Sequence, residues 1–376
     1  MKKTRILAEA LTVFMLFSFT SCTPAEEPMR DMTTAEIVRD MGLGINLGNT
    51  LESCGSWINS MNGVTGYETA WGSPVITEDM IKGYASCGFG VLRIPVAWSN
   101  LMGEDYTINP DYLARVKEIT DWTINSGMYA IVNIHYDGGW WTQFPSDKEE
   151  CMRKYTRIWE QITEAFQDYS DKLMFESLNE EGGWDSLWNR YSGSTDGKAD
   201  SFGLLNEINQ NFVDIVRGSG GNNPLRHLLI AGYNTDVDLT CDELFVMPKD
   251  EANRCAVSVH YYTPSTFCIL EADASWGKAQ TEWGSDEDVE LLTHYMDMLK
   301  ENFVDKGVPV IIGEYGVSTK NKEAGVIRLF LSSVAKEAYK REMCPVLWDI
   351  TDVFYDRGQC KFKDDLLLEQ LMSAKN

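Results

Sequence analysis

Short apolar runs recur along the chain, and most of them end in polar residues. The run LMFESLNE at 173–180 ends in Asn179 and Glu180, and VPVIIGEY at 308–315 carries Glu314 near its end. Runs of this length without polar alternation are typical of strands buried on both faces. Six further runs predict strands at 43–49, 90–95, 128–135, 227–232, 255–261 and 345–349.

Segments with helical spacing separate these runs. The first begins with a capping pattern in which Glu36 follows Thr33 by three residues. Helices are predicted at 33–41, 76–87, 110–126, 147–169, 202–217, 286–303, 322–339 and 364–372, and only a poor helix at 233–254. Eight strands alternating with helices over about 340 residues predict an α/β fold, a single closed (β/α)8 barrel of the TIM type.

Charge limits the classes of partner. The formal net charge is -24 and the isoelectric point is about 4.5. Polyanions such as nucleic acids, and anionic membrane surfaces, are therefore excluded as partners. Hydrophobic residues make up 44% of the chain, which is enough for a large core. We expect the protein to be a monomer.

The N-terminus resembles a bacterial lipoprotein signal. Lys2, Lys3 and Arg5 precede a short apolar run at 10–19, and Cys22 follows small residues. We expect a signal peptide at 1–21, lipidation at Cys22, a flexible tether at 22–32 and the catalytic barrel at 33–376. The protein would then be exported and anchored at the cell envelope, at the outer membrane or cell surface. Without lipidation it would be periplasmic or secreted.

Eight further cysteines follow Cys22, and no two form a CxxC pair, so a zinc site is not expected. Their even number permits disulfides without defining the pairing. We expect most of them to be buried free thiols. They are Cys54, Cys87, Cys151, Cys241, Cys255, Cys268, Cys344 and Cys360.

In such barrels the active site lies at the C-terminal ends of the strands. Polar or aromatic residues stand at most of the predicted ends: Asn46, Asn49, Arg93, His135, Asn179, Glu180, His260, Tyr262, Glu314 and Trp348. Glu180 and Glu314 belong to the fourth and seventh strands and would face each other across the barrel mouth. Two carboxyl groups, one protonated and one ionised, are what glycoside hydrolysis requires. Arg93 would hold the ionised one in its charged form.

Tryptophans in the predicted loops favour a long sugar-binding cleft, because the flat faces of pyranose rings pack on indole rings. They are Trp57, Trp71, Trp140, Trp141, Trp184, Trp188, Trp276 and Trp283, whereas Trp98, Trp122 and Trp159 are expected in the core. With four histidines and no cluster of ligands at metal spacing, we expect neither a metal nor another cofactor.

Eight segments together resemble glycoside hydrolase family 5, and most closely its subfamily 4, over residues 33–372. They are NLGNTLE (46–52), ETAWGSP (68–74), VLRIPVAW (91–98), VNIHYDGGW (132–140), FESLNE (175–180), SVHYYTP (258–264), IIGEYG (311–316) and VLWD (346–349). The resemblance implies a retaining endo-β-1,4-glucanase acting on cellulose-like, mixed-linkage or xyloglucan chains.

The same resemblance implies roles for individual residues. Glu180 would be the general acid/base and Glu314 the nucleophile, hydrogen-bonded by Tyr262. Asn179 would bind the sugar 2-hydroxyl, and Trp348 would form the floor of the subsite for the cleaved sugar. The remaining substrate-binding candidates are Asn49, Trp71, Arg93, His135, Tyr136 and His260.

Two positions depart from the subfamily pattern. Tyr136 stands where a second histidine is frequent, and Glu181 stands where proline is frequent. We expect Glu181 to face solvent, because successive residues at a strand end point in opposite directions.

Three alternatives stay open. The same mechanism could act on mannan or xylan, the protein could be a surface glycan-binding protein without catalysis, or it could be a metal-dependent barrel hydrolase.

Overall fold

The structure is a computed structural model, which describes residues 29–375. Eight parallel strands pair in sequence order, and the eighth pairs with the first, so the sheet closes. The predicted (β/α)8 barrel is confirmed. The strands are β1 Gly44–Asn46, β2 Val91–Ile94, β3 Tyr129–Asn133, β4 Leu173–Glu176, β5 Leu228–Ala231, β6 Cys255–Tyr261, β7 Val310–Tyr315 and β8 Cys344–Leu347.

Helices surround the barrel where the apolar spacing predicted them. They are α1 Thr34–Met41, α2 Gly63–Glu68, α3 Glu78–Ser86, α4 Pro110–Asn125, α5 Lys148–Ala165, α6 Lys198–Gly218, α7 Val237–Thr240, α8 Ser265–Cys268, α9 Asp286–Asn302, α10 Ala324–Tyr339 and α11 Asp365–Ser373. Helix α1 begins with the predicted capping box between Thr33 and Glu36. Within residues 29–375, no helix has both the length and the apolarity to cross a membrane.

The interior of the barrel is divided into an apolar and a polar layer, because inward-facing positions alternate along each strand. Near the N-terminal ends, Ile131, Met174 and Ile311 form an apolar cluster that α1 covers with Ile37 and Met41. Two residues further along the strands the inward positions become polar, as in Arg93, Asn133 and Glu176. One end of the barrel is therefore closed and apolar, and the other carries the charged groups.

The β5–β6 connection was the weak unit of the predicted pattern, and its helical structure is limited to a 3-10 turn at Tyr233–Thr235 and the single turn of α7. Short elements that the pattern did not predict also occur. They are α2, α8 and a hairpin after β8, formed by β9 Tyr355–Asp356 and β10 Lys361–Phe362.

Four strands end two or three residues earlier than predicted, although their ladders continue beyond the regular part. The predicted ends of β1, β3, β4 and β8 were 49, 135, 179 and 349. The backbone NH of His135 still donates to Val96 O at 2.9 Å, and that of Trp348 donates to Tyr315 O at 2.8 Å. The chain thus leaves regular sheet geometry just before several site residues.

The N-terminal signal, Cys22 and most of the predicted tether lie outside the described residues. Arg30 belongs to the last part of that tether, and its guanidinium contacts the buried carboxylate of Asp171 at 2.6 Å. This contact joins the end of the predicted tether to the barrel.

All eight cysteines of the described chain are free thiols, as expected. The expectation that most are buried is wrong, because only Cys151, Cys268 and Cys344 are buried and the other five are partly accessible.

Candidate active site

Arg93 is the centre of the polar layer at the barrel mouth. It lies in β2, is fully buried, and donates Nε to Glu176 at 2.7 Å and Nη1 to Glu314 at 2.8 Å. Nη1 also bonds Asn46 at 3.1 Å, and Nη2 donates to Asn179 Oδ1 at 2.8 Å. A buried cation is costly unless it is paired, and here two carboxylates and two amides surround it.

Glu314 reaches this centre because β7 contains a bulge. Val259 pairs with Ile312, but the next residue, His260, pairs with Glu314, so Gly313 is an extra residue. A β-carbon at Gly313 would lie 3.0 Å from Ser258 Oγ, so glycine suits this tightly packed position. The bulge aims the Glu314 side chain into the barrel mouth.

Glu180 lies in the turn after β4, four residues beyond the strand. Its side chain is 49% exposed, and its Oε1 lies 2.7 Å from His260 Nδ1. The same imidazole nitrogen lies 3.6 Å from Glu314 Oε2. His260 therefore stands between the two carboxylates.

The carboxylates are close together. One oxygen of each, with a nitrogen of His260, forms a group whose atoms all lie within 4.8 Å of one another. Inverting glycosidases need a separation of about 6.5–9.5 Å to admit a water molecule, whereas retaining enzymes use about 5–5.5 Å. The geometry suits direct attack by a carboxylate.

Burial and charge act differently on the two carboxyl groups. Burial disfavours ionisation of Glu180, but the hydrogen bond from His260 and the charges of His260 and Arg93 outweigh it, so the pKa of Glu180 is lowered. Burial raises the pKa of Glu314, although the charges of His260 and Arg93 oppose the shift. Without bound substrate, the lowered pKa favours ionised Glu180 and the raised pKa favours protonated Glu314. A general acid must instead be protonated and a nucleophile ionised.

Neutral hydrogen-bonding and aromatic groups complete the site. Tyr262 OH donates to Glu314 Oε2 at 2.9 Å, as expected. The rings of His135 and Trp348 are parallel within 6°, with centroids 6.0 Å apart. Burial, together with the charges of Arg93 and His260, lowers the pKa of His135 well below its ordinary value, so this imidazole is neutral.

A family model described as "Cellulase (glycosyl hydrolase family 5)" matches residues 52–352. The chain belongs to glycosyl hydrolase family 5. It is 35% identical over 351 residues to Endoglucanase A of Paenibacillus barcinonensis, covering 85% of this chain and 83% of the relative.

Solved structures place it near subfamily 4 of that family. A GH5-4 broad specificity endoglucanase from an uncultured bovine rumen ciliate is 35% identical, with a TM-score of 0.82 over 92% of this chain and 98% of the other. The Bacteroides ovatus GH5 xyloglucanase, solved with a XXXG heptasaccharide, is 29% identical, with a TM-score of 0.82 over 93% and 78% of the two chains. The family and subfamily that the motifs indicated are confirmed.

Three predicted substrate-binding residues lie outside the central network of this family 5 site. Asn49 has φ +56° in the turn after β1, and its backbone NH donates to Glu52. Trp71 lies in an exposed turn, and Tyr136 is half-exposed and packs edge-on against Trp141. Their roles toward sugar stay predictions.

The loop tryptophans fall into two groups. Trp57, Trp71 and Trp276 are exposed, and Trp140 and Trp141 are partly buried. The other three are buried. Trp184 and Trp283 were wrongly assigned to the cleft, since loops of a family 5 barrel also pack on their own aromatic residues, whereas Trp188 also lines a cavity that contains Glu180. Trp184 packs on Phe144, Trp188 on Phe202, and Trp283 on Phe330. Trp98 and Trp159 are fully buried, as expected, whereas Trp122 is only partly buried.

The expectation that Glu181 faces solvent is wrong. Its side chain is buried, and its carboxylate accepts a hydrogen bond from the backbone NH of Asn179. Alternation of side chains holds only along an extended strand, and β4 has already ended at Glu176. Burial raises the pKa of Glu181 well above its ordinary value, and the charges of Glu180 and Glu176 add to the shift.

The sequence analysis missed the buried support beneath the site. The carboxylate of Glu176 accepts hydrogen bonds from Arg93 Nε, from Asn133 Nδ2 at 3.0 Å and from Ser258 Oγ at 2.7 Å. These residues lie inside the predicted strands rather than at the predicted ends, where the search was concentrated. Their signal was a polar residue shortly before a predicted strand-end residue: Asn133 and Ser258 precede His135 and His260 by two positions, and Glu176 precedes Asn179 by three.

A cavity of about 320 Å³ opens beside Glu180. It is bounded by the loop after β4 and the turn after β5, and Asp185, Asn189, Tyr191 and Asn234 are among its lining residues. Glu180 is thus accessible from a space large enough for a sugar ring.

Glu180, His260 and Glu314 are also side chains of the types that serve as metal ligands. However, the positively charged guanidinium of Arg93 already lies close to Glu314, with Nη1 2.8 Å from Oε1 of the carboxylate. A divalent ion at the same carboxylate would be repelled by that guanidinium.

Proposed function

We propose that this family 5 protein is a retaining endo-β-1,4-glucanase that hydrolyses β-glucans, with Glu180 as acid/base and Glu314 as nucleophile. One observation carries the proposal. The two carboxylates lie on either side of His260 with oxygens within 4.8 Å, and only Glu314 is bonded by Arg93.

The first step forms a covalent intermediate. A Glu314 oxygen attacks the anomeric carbon, the glycosidic C–O bond breaks, and the proton of Glu180 passes to the leaving oxygen. In the second step Glu180 takes a proton from water, the resulting hydroxyl bonds to the anomeric carbon, and Glu314 leaves as a carboxylate. Two displacements at one carbon retain its configuration.

The surrounding groups control charge during these steps. Arg93 and Tyr262 both donate to Glu314, which favours its ionised form and its departure as a leaving group. Glu180 must carry a proton in the first step, although His260 and Arg93 lower its pKa in the free site. A bound sugar would cover the half-exposed Glu180 side chain, and loss of water there raises a carboxyl pKa.

Two features of the site support binding of a sugar chain. The rings of His135 and Trp348 lie parallel, and a cavity bounded by Asp185 and Tyr191 opens beside Glu180. Relatives described as broad specificity endoglucanase and as xyloglucanase support a β-glucan substrate. Mannan and xylan are the alternative substrates of the same mechanism.

Two experiments test the activity. Initial rates on cellulose, mixed-linkage glucan, xyloglucan, mannan and xylan would identify the substrate, and faster hydrolysis of mannan or xylan would reject the glucanase assignment. NMR of the first product formed should show the β-anomer, and an initial α-anomer would contradict the nucleophile role of Glu314.

Glu314→Ala tests the mechanism. Activity should fall by about 10³-fold or more, because the covalent route is lost. Retained circular dichroism with near-normal activity would overturn the proposal, and would then favour the metal-dependent alternative. Unchanged rates in excess chelator are expected, whereas loss of activity restored by a divalent ion would support a metal-dependent hydrolase.

We also propose that the protein is an exported, lipid-anchored monomer, on the basis of the N-terminal pattern that ends at Cys22. Cys22→Ser should move the enzyme from the membrane fraction to the soluble fraction of cells. Equal membrane association of both proteins would argue against lipidation. Sedimentation should give a mass of one 42.6 kDa chain less its signal.

A further inference from the structure

The turn that carries Glu180 is bound by the neighbouring turn after β5. Asn234 donates Nδ2 to the backbone carbonyl of Glu180 at 3.1 Å, and its backbone NH donates to the carbonyl of Glu181 at 2.9 Å. One residue therefore holds two consecutive peptide groups of the acid/base turn.

The two turns fit each other closely. Asn234 has φ +53°, a left-handed conformation that few residues other than glycine and asparagine adopt readily. A β-carbon on Gly183 would come within 2.5 Å of Asn234 Oδ1, so only glycine lets the asparagine approach. Gly183 itself has φ +58°. The contact depends on a specific residue in each turn.

The ends of the two strands beneath these turns are also joined to each other. Ser177 Oγ donates to Asn209 Oδ1 at 2.7 Å and accepts the backbone NH of Ala231 at 3.0 Å. The ends of β4 and β5 are thus fixed to each other, and Asn234 extends this connection to Glu180.

The Glu180 carboxyl itself has a single short contact, to His260 at 2.7 Å, and about half of its side chain is exposed. Its position therefore depends strongly on its backbone. We propose that Asn234 is a positioning residue that holds Glu180 where it can transfer a proton to the leaving oxygen. This inference rests on the proposed function.

Leaving-group dependence tests it. Phenyl β-cellobioside needs a proton on its leaving oxygen, whereas 2,4-dinitrophenyl β-cellobioside releases an acidic phenol that leaves without one. Neither substrate has a sugar on the leaving side, so a lost contact between Asn234 and a leaving sugar would affect neither.

Asn234→Gly removes the amide but keeps the left-handed backbone accessible. We expect kcat/KM for the phenyl substrate to fall about tenfold, a part of the 10²–10⁴-fold that a positioned general acid contributes. For the dinitrophenyl substrate the fall should be less than about twofold. Asn234→Asp keeps the size of the side chain but loses the donor, and it should show the same difference between substrates.

Asn253→Gly is the matched control. Asn253 also has φ +53°, but it is exposed and lies just before β6, at the opposite end of the barrel. Asn253→Gly should leave kcat/KM unchanged for both cellobioside substrates. Thermal melts would show whether each variant is folded.

Equal falls for both substrates in folded Asn234→Gly and Asn234→Asp would overturn the inference, and so would unchanged rates for both. A defect seen only on glucan chains would also overturn it, because it would indicate direct contact with sugar. If the unmutated enzyme cleaved neither cellobioside nor glucan, the proposed function would fail instead.

Discussion

Arg93 donates a 2.8 Å hydrogen bond to Glu314 while it is itself fully buried between that carboxylate and the one of Glu176. A single positive charge thus serves two negative ones in the barrel interior. Glu176 orients the guanidinium that contacts Glu314.

Glu176→Gln should therefore impair both stability and activity. Both oxygens of Glu176 accept hydrogen bonds, and the amide nitrogen of glutamine cannot, so a buried donor loses its partner and we expect the free energy of unfolding to fall by about 2 kcal/mol. Urea denaturation and kcat/KM on glucan would measure the two effects. Glu207→Gln is the control, since the exposed Lys148–Glu207 pair should contribute less than about 1 kcal/mol. Similar losses of unfolding free energy in Glu176→Gln and Glu207→Gln would contradict the interpretation.

Tyr262→Phe should lower kcat/KM by at least about tenfold, because a hydrogen bond to a charged group is worth about 1.5–3 kcal/mol. Tyr261→Phe provides the comparison, since the ring of Tyr261 faces away from the site and packs edge-on against Tyr295. Equal effects of the two changes on the rate would show that the bond to Glu314 is unimportant.

Asp349→Asn should change the pH dependence of stability. Burial raises the pKa of Asp349 from 3.8 to about 7 in the folded protein. Because the folded value exceeds the unfolded one, the contribution of Asp349 is complete below about pH 4 and is lost as pH rises through 7. Relative to the variant, the unmutated protein should lose on the order of 2–4 kcal/mol between pH 4 and 8.

The substitution itself is structurally mild. Asp349 Oδ1 accepts two backbone NH groups, and Oδ2 is buried without a partner, so an amide nitrogen can take its place. Denaturant unfolding at pH 5 and pH 8 would measure the difference, and a constant difference at both pH values would exclude the raised pKa.

Glu181→Gln and Glu181→Ala should differ. Glutamine keeps an acceptor for the buried NH of Asn179, whereas alanine leaves that group unsatisfied at a cost of about 1–3 kcal/mol. Because the raised pKa favours the neutral carboxyl, the glutamine variant should resemble the unmutated protein more closely as the pH is lowered. Melting temperatures would compare all three proteins, and an equally large loss in both variants would show that the charge of Glu181 is required.

Most of the fold followed from the hydrophobic pattern, because a buried parallel strand must be apolar at nearly every position. The same rule made Arg93 and Glu314 conspicuous, and the structure brings both to the barrel mouth. Their partner Glu176 escaped attention because it lies three positions before Asn179, within an apolar run. A pattern along one strand cannot show which polar residue on another strand will balance it.

Local rules failed where the chain leaves regular geometry. Glu181 was assigned from strand alternation, but its orientation depends on a turn formed after Glu176. The burial of Trp184 and Trp283 depends on how long loops fold back, and loop composition alone carries no information about that. The single turn between β5 and β6 gave a weak pattern, yet its neighbour Asn234 contacts the acid/base turn.

The bulge at Gly313 means that the position of the proposed nucleophile is encoded in strand irregularity as well as in residue identity. If β7 paired with β6 without the bulge, Gly313 would lie opposite His260, and Glu314 would lie opposite Tyr261 and turn toward the surrounding helices. A designed barrel with eight uniform strands could therefore carry every residue of this site and still lack its chemistry. Transfer of the site to another scaffold requires the irregular strand to be transferred with it.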